Sequence, residues 1–206
     1  MTQNTFGWRS FLSLPGIYGY CQNVLRRPGS RAELVKKYIR PKQGMHILDL
    51  GCGPATILKY LPENIHYVGV DVSIKYIEAA KATYGDRGHF YCLPVEALHD
   101  AGIGGFDLVM GLGVLHHLDD DQARSFFAIA FNVLKMDGRC LTVDPCFVQG
   151  RYLIAGILIR MDRGKNIRTA DRYAALAKDT FSHITYNIHH DRLRVPYTHH
   201  IMECRR

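Results

Sequence analysis

The sequence predicts an α/β fold, in which a mainly parallel sheet carries helices on both faces. Two observations predict it: strand-like and helix-like stretches alternate along the chain, and no helical pattern separates the last two strand-like stretches. Alternation of this kind is typical of βαβ units. Only nine residues join the predicted strands 183–188 and 198–204, which is too few for a parallel crossover. The last pair of strands is therefore expected to be antiparallel.

The individual elements follow from apolar patterning and turn residues. Strands are predicted at 46–50, 66–70, 89–92, 106–110, 139–143, 183–188 and 198–204. Helices are predicted at 30–39, 55–61, 73–84, 95–100, 120–134, about 150–161 and 170–179. The stretch "SRAE" at 30–33 predicts a capping box, in which Ser30 caps the first helix and Glu33 reaches back.

Composition places the chain among single globular domains. It has 206 residues, of which 47% are hydrophobic and 22% are charged. No apolar run approaches the ~18 residues that cross a membrane, and the start lacks the pattern of a signal peptide. The six cysteines show no CxxC spacing, which indicates reduced thiols and a cytoplasmic location.

The net charge of +7 is concentrated at one end of the chain. Residues 1–42 hold eight Lys or Arg and one Glu, whereas the remainder holds eighteen of each sign. This asymmetry suggests an acidic partner. The candidates are a phosphorylated substrate, a nucleic acid and an anionic membrane surface. The alternative is a solvated basic helix. We divide the chain into an arm or lid, residues 1–29, and one domain, residues 30–206.

The first strand ends in a motif that indicates a ligand site. Residues 47–55 read "ILDLGCGPA", and Gly51 and Gly53 allow a sharp turn close to a ligand at the carboxyl edge of the sheet. The dinucleotide motif G-x-G-x-x-G is incomplete, since Thr56 stands at its third glycine. Asp49 would also repel a pyrophosphate. A ligand that carries an ammonium group beside a carboxylate fits better, as in the amino-acid end of S-adenosylmethionine (SAM).

The second strand supports the same ligand. "YVGVDVS" places Asp71 at the strand end, twenty residues after Gly51, where an acid can accept hydrogen bonds from both hydroxyls of a ribose. The alternative is a tight turn followed by a helix cap.

These motifs, with "FDLVMGLGVLHHL" and "LKMDGRCLTVD", resemble those of class I SAM-dependent methyltransferases of the ubiquinone/menaquinone type, over residues 44–146. The resemblance implies a Rossmann-like sheet of seven strands, with order 3-2-1-4-5-7-6 and the last strand antiparallel. It also implies which residues bind the cofactor. They are Asp49, Gly51, Cys52 and Gly53 for the methionine part, Asp71 and Val72 for the ribose, Val95 or Glu96 for the adenine, and Gly111 beside the cofactor.

Methyl transfer needs alignment of acceptor and methyl group, and it needs a base only when the acceptor must lose a proton. "VLHHL" at 114–118 follows the fourth strand, so His116 or His117 is a candidate base. The alternative is that one histidine packs the loop and neither reacts. The histidine pairs lack the spacing of a metal site, and no metal is expected.

The acceptor is expected to be a small or lipid-linked acidic molecule. Residues 147–182 form a predicted substrate cap that is apolar at first and then basic, with Arg163 and Arg168 as candidate anion-binding residues. Tyr18 and Tyr20 of the arm are expected to close over the same site.

Two other functions stay open at this level. A nucleic-acid methyltransferase would suit the basic arm, but the N/D-P-P-Y/F motif of base-amine enzymes is replaced by "GLGV". Cys146 follows the fifth strand, where cytosine-C5 RNA enzymes keep a nucleophile, but the rest of that motif is missing. A non-catalytic SAM-binding protein is the other alternative. The sequence does not predict the oligomeric state.

Overall fold

A single mixed sheet organises the chain. The computed structural model describes residues 27–98, 103–148, 166–190 and 198–206. The strands are β1 (His46–Leu50), β2 (His66–Asp71), β3 (His89–Cys92), β4 (Phe106–Leu112), β5 (Leu134–Phe147), β6 (Arg168–Thr169), β7 (His183–His189) and β8 (His199–Arg205). They follow the order β3-β2-β1-β4-β5-β8-β7, and the two-residue β6 pairs with β5 outside this path.

The directions of the strands confirm the predicted topology. The first five strands, β1 to β5, are parallel to one another. In contrast, β8 is antiparallel to both β5 and β7. If β6 is left aside, the order is the predicted 3-2-1-4-5-7-6. The antiparallel end arises because β8 enters between β5 and β7 from the opposite direction.

The described helices are α1 (Ser30–Leu34), α2 (Ile74–Tyr84), α3 (Asp120–Val133) and α4 (Ala170–Ala177). A π-helical turn, Val35–Ile39, continues α1, and short 3-10 turns span Thr56–Tyr60, Gly85–Arg87, Val95–Leu98 and Leu115–His117. The helix predicted at about 150–161 lies outside the described residues.

The start of α1 differs from the prediction. Gly29 is the N-cap, with a φ of 81°, and Ser30 is already the first helical residue. Glu33 binds Arg27 at 2.6 Å. The predicted capping box at Ser30 is therefore wrong. A capping box is present at α3, where Asp119 and Gln122 satisfy each other's backbone N–H groups.

The core forms two layers, one on each face of the sheet. Because side chains alternate along a strand, Cys140 of β5 packs in one layer with Phe126 and Phe127 of α3. Leu141 packs in the other layer with residues of α1 and its π-helical turn. Both faces of β5 are thus buried, as expected of a central parallel strand.

Within the described ranges, no helix has both the length and the apolar character needed to cross a membrane. In the same residues, no group of three or more His, Cys, Asp or Glu side chains is placed to hold a metal ion.

Candidate functional site

The turn after β1 is held on two sides. The N–H groups of Gly51 and Cys52 both donate to the carbonyl of Val70 in β2, at 2.8 and 3.0 Å. Gly51 has a φ of 73°, and a Cβ there would lie 2.6 Å from Cγ2 of Val114. Only glycine meets both conditions without strain. The turn is therefore fixed to β2 and packed against the loop that follows β4.

Asp49 is a buried carboxylate beside this turn. It is 2% exposed, and its Oδ2 accepts a hydrogen bond from the Tyr67 hydroxyl at 2.6 Å. Its Oδ1 is buried and has no hydrogen-bond partner among the described residues. Burial raises the pKa of Asp49 to about 7, against the opposing effects of the Tyr67 hydroxyl and the Arg31 guanidinium. An ammonium group at Oδ1 would satisfy this oxygen and stabilise its charge.

Asp71 joins two turns at the end of β2. Its Oδ2 accepts the N–H of Gly53 at 2.9 Å, and its Oδ1 accepts the N–H of Ser73 at 2.8 Å. Burial raises the pKa of this carboxyl, and the two N–H groups oppose the rise. A carboxylate offers about four acceptor positions, so a ribose diol can bind while both backbone contacts persist.

The remaining predicted cofactor residues lie after β2, after β3 and in β4. Val72 is 46% exposed, and Val95 begins a 3-10 turn beyond β3. The side chain of Glu96 lies outside what the structure describes. Gly111, in β4, faces α3: a Cβ there would lie 2.7 Å from Cζ of Phe126. Helix packing therefore requires Gly111 whether or not a cofactor is nearby.

The loop after β4 brings a histidine to a carboxylate. His116 is 5% exposed, and its Nδ1 lies 2.9 Å from Oδ1 of Asp144 in β5. The backbone N–H of His116 donates to the same oxygen at 3.2 Å. His117 is exposed, and its ring centroid lies 4.0 Å from that of His116. The two predicted base candidates thus differ in burial.

A buried histidine pairs with Asp144 across the β5–β8 ladder. His200 of β8 is opposite Asp144 in the ladder, is fully buried and stacks on Tyr173, with ring centroids 5.3 Å apart. Neither ring nitrogen of His200 has a hydrogen-bond partner among the described residues. Burial lowers its pKa to about 4, although the Asp144 charge opposes this. His200 is therefore neutral at physiological pH.

Arg168 has partners within the chain. It is 6% exposed, and its guanidinium binds Asp120 and donates to the carbonyls of Leu115 and Leu118 at 3.0 and 2.8 Å. These contacts fix the histidine loop to the start of α3. Tyr18, Tyr20 and Arg163, the other predicted acceptor residues, lie outside the described residues.

Cys146 does not have the surroundings of a nucleophile. It is fully buried, and burial together with the Asp144 charge raises the pKa of its thiol to about 12. Reactive cysteines have a lowered pKa and partial exposure.

Sequence reasoning missed Asp144 and Tyr67. Asp144 directly follows the predicted strand 139–143, so the rule that ligands bind beyond the carboxyl ends of strands could have found it. Tyr67 lies inside a strand, and nothing in the sequence marks it as the partner of Asp49.

Comparisons with known proteins bear on this arrangement. Residues 47–138 match the family model described as a methyltransferase domain. No curated protein matches the chain significantly. Many solved structures share its fold, among them the three that follow.

A TehB-like SAM-dependent methyltransferase from Corynebacterium glutamicum has a TM-score of 0.60 and 18% identity, over 92% of this chain and 94% of its own. A phosphoethanolamine N-methyltransferase 2 from Haemonchus contortus, in complex with phosphomonomethylethanolamine and S-adenosylhomocysteine, has a TM-score of 0.74 and 13% identity. That alignment covers 98% of this chain and 60% of the nematode chain. Human N-acetylserotonin methyltransferase, in complex with SAM, has a TM-score of 0.69 and 15% identity, over 94% and 55% of the two chains.

Proposed function

We propose that this protein, whose residues 47–138 match the family model of a methyltransferase domain, is an enzyme that transfers a methyl group from SAM to a small-molecule or lipid-linked acceptor. The observation that carries the proposal is the buried Oδ1 of Asp49, which has no partner among the described residues and lies beside the Gly51–Gly53 turn. A buried acceptor of this kind calls for a donor from a ligand. The ammonium group of SAM supplies such a donor.

The other parts of the cofactor have corresponding groups along the same edge of the sheet. Asp71 would bind the ribose while it continues to hold Gly53 and Ser73. Val72 and the turn that begins at Val95 would flank the adenine. When bound, SAM supplies an electrophilic methyl group on a sulfonium. The chain's own residues bind and orient the reactants, and where the acceptor must lose a proton, His116 or His117 is the candidate base.

The acceptor side of the site is the second part of the proposal. We assign it to the arm, residues 1–29, and to the cap, residues 147–182, because the sequences of these segments combine apolar and basic residues. An acidic, amphiphilic acceptor fits their composition. Since Arg168 is engaged with Asp120 and the histidine loop, Arg163 is the better candidate of the two arginines for contact with an anion.

Calorimetry with S-adenosylhomocysteine tests the proposal directly. Wild-type protein is expected to bind with micromolar affinity or better, whereas Asp49→Asn should weaken binding by roughly 10- to 100-fold, because a charged hydrogen bond is lost. Asp107→Asn, at a partly buried carboxylate that binds Lys135, is the matched control and should bind normally. Absence of binding to the wild-type protein would refute the proposal.

A second experiment separates small-molecule from nucleic-acid acceptors. Binding of the full chain to RNA that falls steeply with salt, together with methyl transfer to that RNA, would favour the nucleic-acid alternative. Cofactor binding without transfer to any acceptor class would favour the non-catalytic alternative.

A further inference from the structure

Arg168 uses its whole guanidinium group within the protein. Its Nε and Nη2 both donate to Oδ1 of Asp120, at 2.9 and 2.7 Å. Nη1 donates to the carbonyls of Leu115 and Asn166, and Nη2 donates to the carbonyl of Leu118. A guanidinium has five N–H donors, and these five contacts with described residues use all of them. The side chain is therefore built into the fold and has no donor left for a substrate anion.

These contacts hold the histidine loop, residues 113–118, from the side of β6. Arg168 binds two of its carbonyls through buried hydrogen bonds. The N–H of Asn166 donates to a third carbonyl, that of His116, at 3.0 Å. A buried carbonyl that loses its donor costs free energy, so the loop is restricted to the conformation in which all three are satisfied.

Strand β5 holds the same loop from the other side. The N–H of Gly113 donates to the carbonyl of Val143 at 2.7 Å. The backbone N–H of His116 donates to Oδ1 of Asp144 at 3.2 Å. Val114 lies between these two anchored residues, and its position is therefore set by the anchors on both sides.

Val114 connects the loop to the proposed cofactor turn. A Cβ at Gly51 would lie 2.6 Å from Cγ2 of Val114, so the valine side chain packs directly on the backbone of Gly51. Because packed groups leave no spare space, a displacement of Val114 changes the surroundings of the turn. An unbroken series of contacts therefore runs from Arg168 to Gly51.

We propose that Arg168 is a positioning residue for the cofactor, which acts on the Gly51 turn through the histidine loop and Val114. This inference rests on the proposed function and deepens it. Arg168 holds the loop in one conformation, and the loop keeps Val114 against Gly51. The turn is then already shaped for the cofactor, and binding does not have to order it.

Calorimetry with S-adenosylhomocysteine on the full chain tests this role. Arg168→Met, which keeps the aliphatic stem, is expected to weaken binding by about 10-fold, and Asp120→Ala by about 3-fold. The matched controls are Arg172→Met, at a side chain that is 70% exposed, and Asp121→Ala, at one that is 98% exposed. Both controls should bind within about 2-fold of the wild type.

Urea denaturation at the same temperature gives the folded fraction of each variant, so affinities are compared per folded molecule. If Arg168→Met does not fold, Asp120→Ala carries the test, because Asp120 is partly exposed and its loss leaves the loop carbonyls with their donors.

A double-mutant cycle with Val114→Ala separates positioning from a general loss of stability. Val114→Ala alone should weaken binding, because the contact with Gly51 is reduced. Arg168→Met and Asp120→Ala should then weaken binding by much less in the Val114→Ala background than in the wild type. Additive losses, or normal binding by both single variants, would overturn the inference.

The wild-type protein and Asp49→Asn separate this inference from the proposed function. If the wild-type protein does not bind S-adenosylhomocysteine, both are refuted. If the wild type binds and Asp49→Asn weakens binding, but Arg168→Met and Asp120→Ala bind normally, only the role of Arg168 is refuted.

Discussion

Replacing Asp49 by asparagine tests the central feature of the site, which is a carboxylate buried without a full set of partners. Burial raises the pKa of Asp49 in the folded protein from its ordinary value of 3.8 to about 7. Between these values the folded state keeps a proton that the unfolded state has lost, so stability falls as pH rises. The cost is absent below about pH 4 and complete above about pH 7. At about 1.36 kcal/mol per pKa unit, it amounts to about 4 kcal/mol.

Urea denaturation of the cofactor-free protein at several pH values between about 4 and 8 measures this effect. The free energy of unfolding of Asp49→Asn, minus that of the wild type, is expected to rise by about 4 kcal/mol across the window. This difference removes the contributions of the other titrating groups. Saturating S-adenosylhomocysteine should flatten the slope of the wild type, because an ammonium group beside Oδ1 favours the ionised carboxyl.

Asp107→Asn is the control. Slight burial raises the pKa of Asp107, but hydrogen bonds from Lys135 and from the His46 N–H outweigh it, so the pKa of this carboxyl lies below 3.8. Its contribution to stability is lost only as pH falls through that low value, and the difference curve for Asp107→Asn should be flat in the window. If the curve for Asp49→Asn is also flat, Asp49 is not a strained buried acid, and the argument for a cationic ligand fails.

Five further variants, two of which are paired controls, test the packing around the site, each by urea denaturation. Gly51→Ala is expected to lower stability by about 2–4 kcal/mol, because its Cβ would lie 2.6 Å from a valine methyl group on a left-handed backbone. Gly53→Ala, whose Cβ would meet nothing within 4 Å, should cost about 1 kcal/mol. Arg168→Ala should cost about 2–4 kcal/mol, since it leaves buried loop carbonyls unpaired, whereas Arg172→Ala, with a side chain 70% exposed, should cost under about 0.5 kcal/mol. His200→Phe should gain stability relative to the wild type as pH falls from about 6.5 to about 4, by up to about 3 kcal/mol, because burial lowers the pKa of His200 to about 4. Equal effects of the paired variants, or a pH-independent effect at position 200, would contradict this account of the packing.

The class of the protein could be predicted from short motifs. The resemblance to methyltransferases is supported by the family model of a methyltransferase domain, which matches residues 47–138, and the predicted fold is confirmed. The ubiquinone/menaquinone-type branch, the cytoplasmic location and the division into arm and domain stay predictions. Short motifs were enough for this prediction because Asp49 and Asp71 lie near the carboxyl ends of β1 and β2. Parallel strands place these ends at one edge of the sheet, where ligands bind.

Element boundaries were less predictable, for local reasons. The helix predicted at 55–61 is a 3-10 turn, Thr56–Tyr60, because Pro62 forces Leu61 into an extended backbone and leaves too few residues for an α-helix. Strand β5 begins at Leu134, where a helix was predicted to end, and so includes the glycine at 138. The early start of β5 depends on its pairing with β4, which the pattern of a single strand does not contain.

Side-chain partners were the least predictable. Arg168 belongs to a basic stretch that suggests an anion site, yet its guanidinium faces inward and joins the histidine loop to α3. Charge clustering in a sequence does not reveal which cations face the interior. Conversely, Asp144 was not predicted, because its partner is distant in sequence. His116 lies 28 residues earlier, in the loop that follows β4, whereas Asp144 lies in β5.

The position of β8 has a consequence for how the molecule assembles. Although it comes last in sequence among the described strands, it separates β5 from β7. β7 can therefore join the rest of the sheet only through β8. The strand on the other side of β8 is β5, which begins at Leu134, long before β8 in the sequence. Closing so long a loop is slow. We expect the half of the sheet built on β1 to β4 to gain protection from hydrogen exchange first during refolding, and β7 and β8 to gain it together and last.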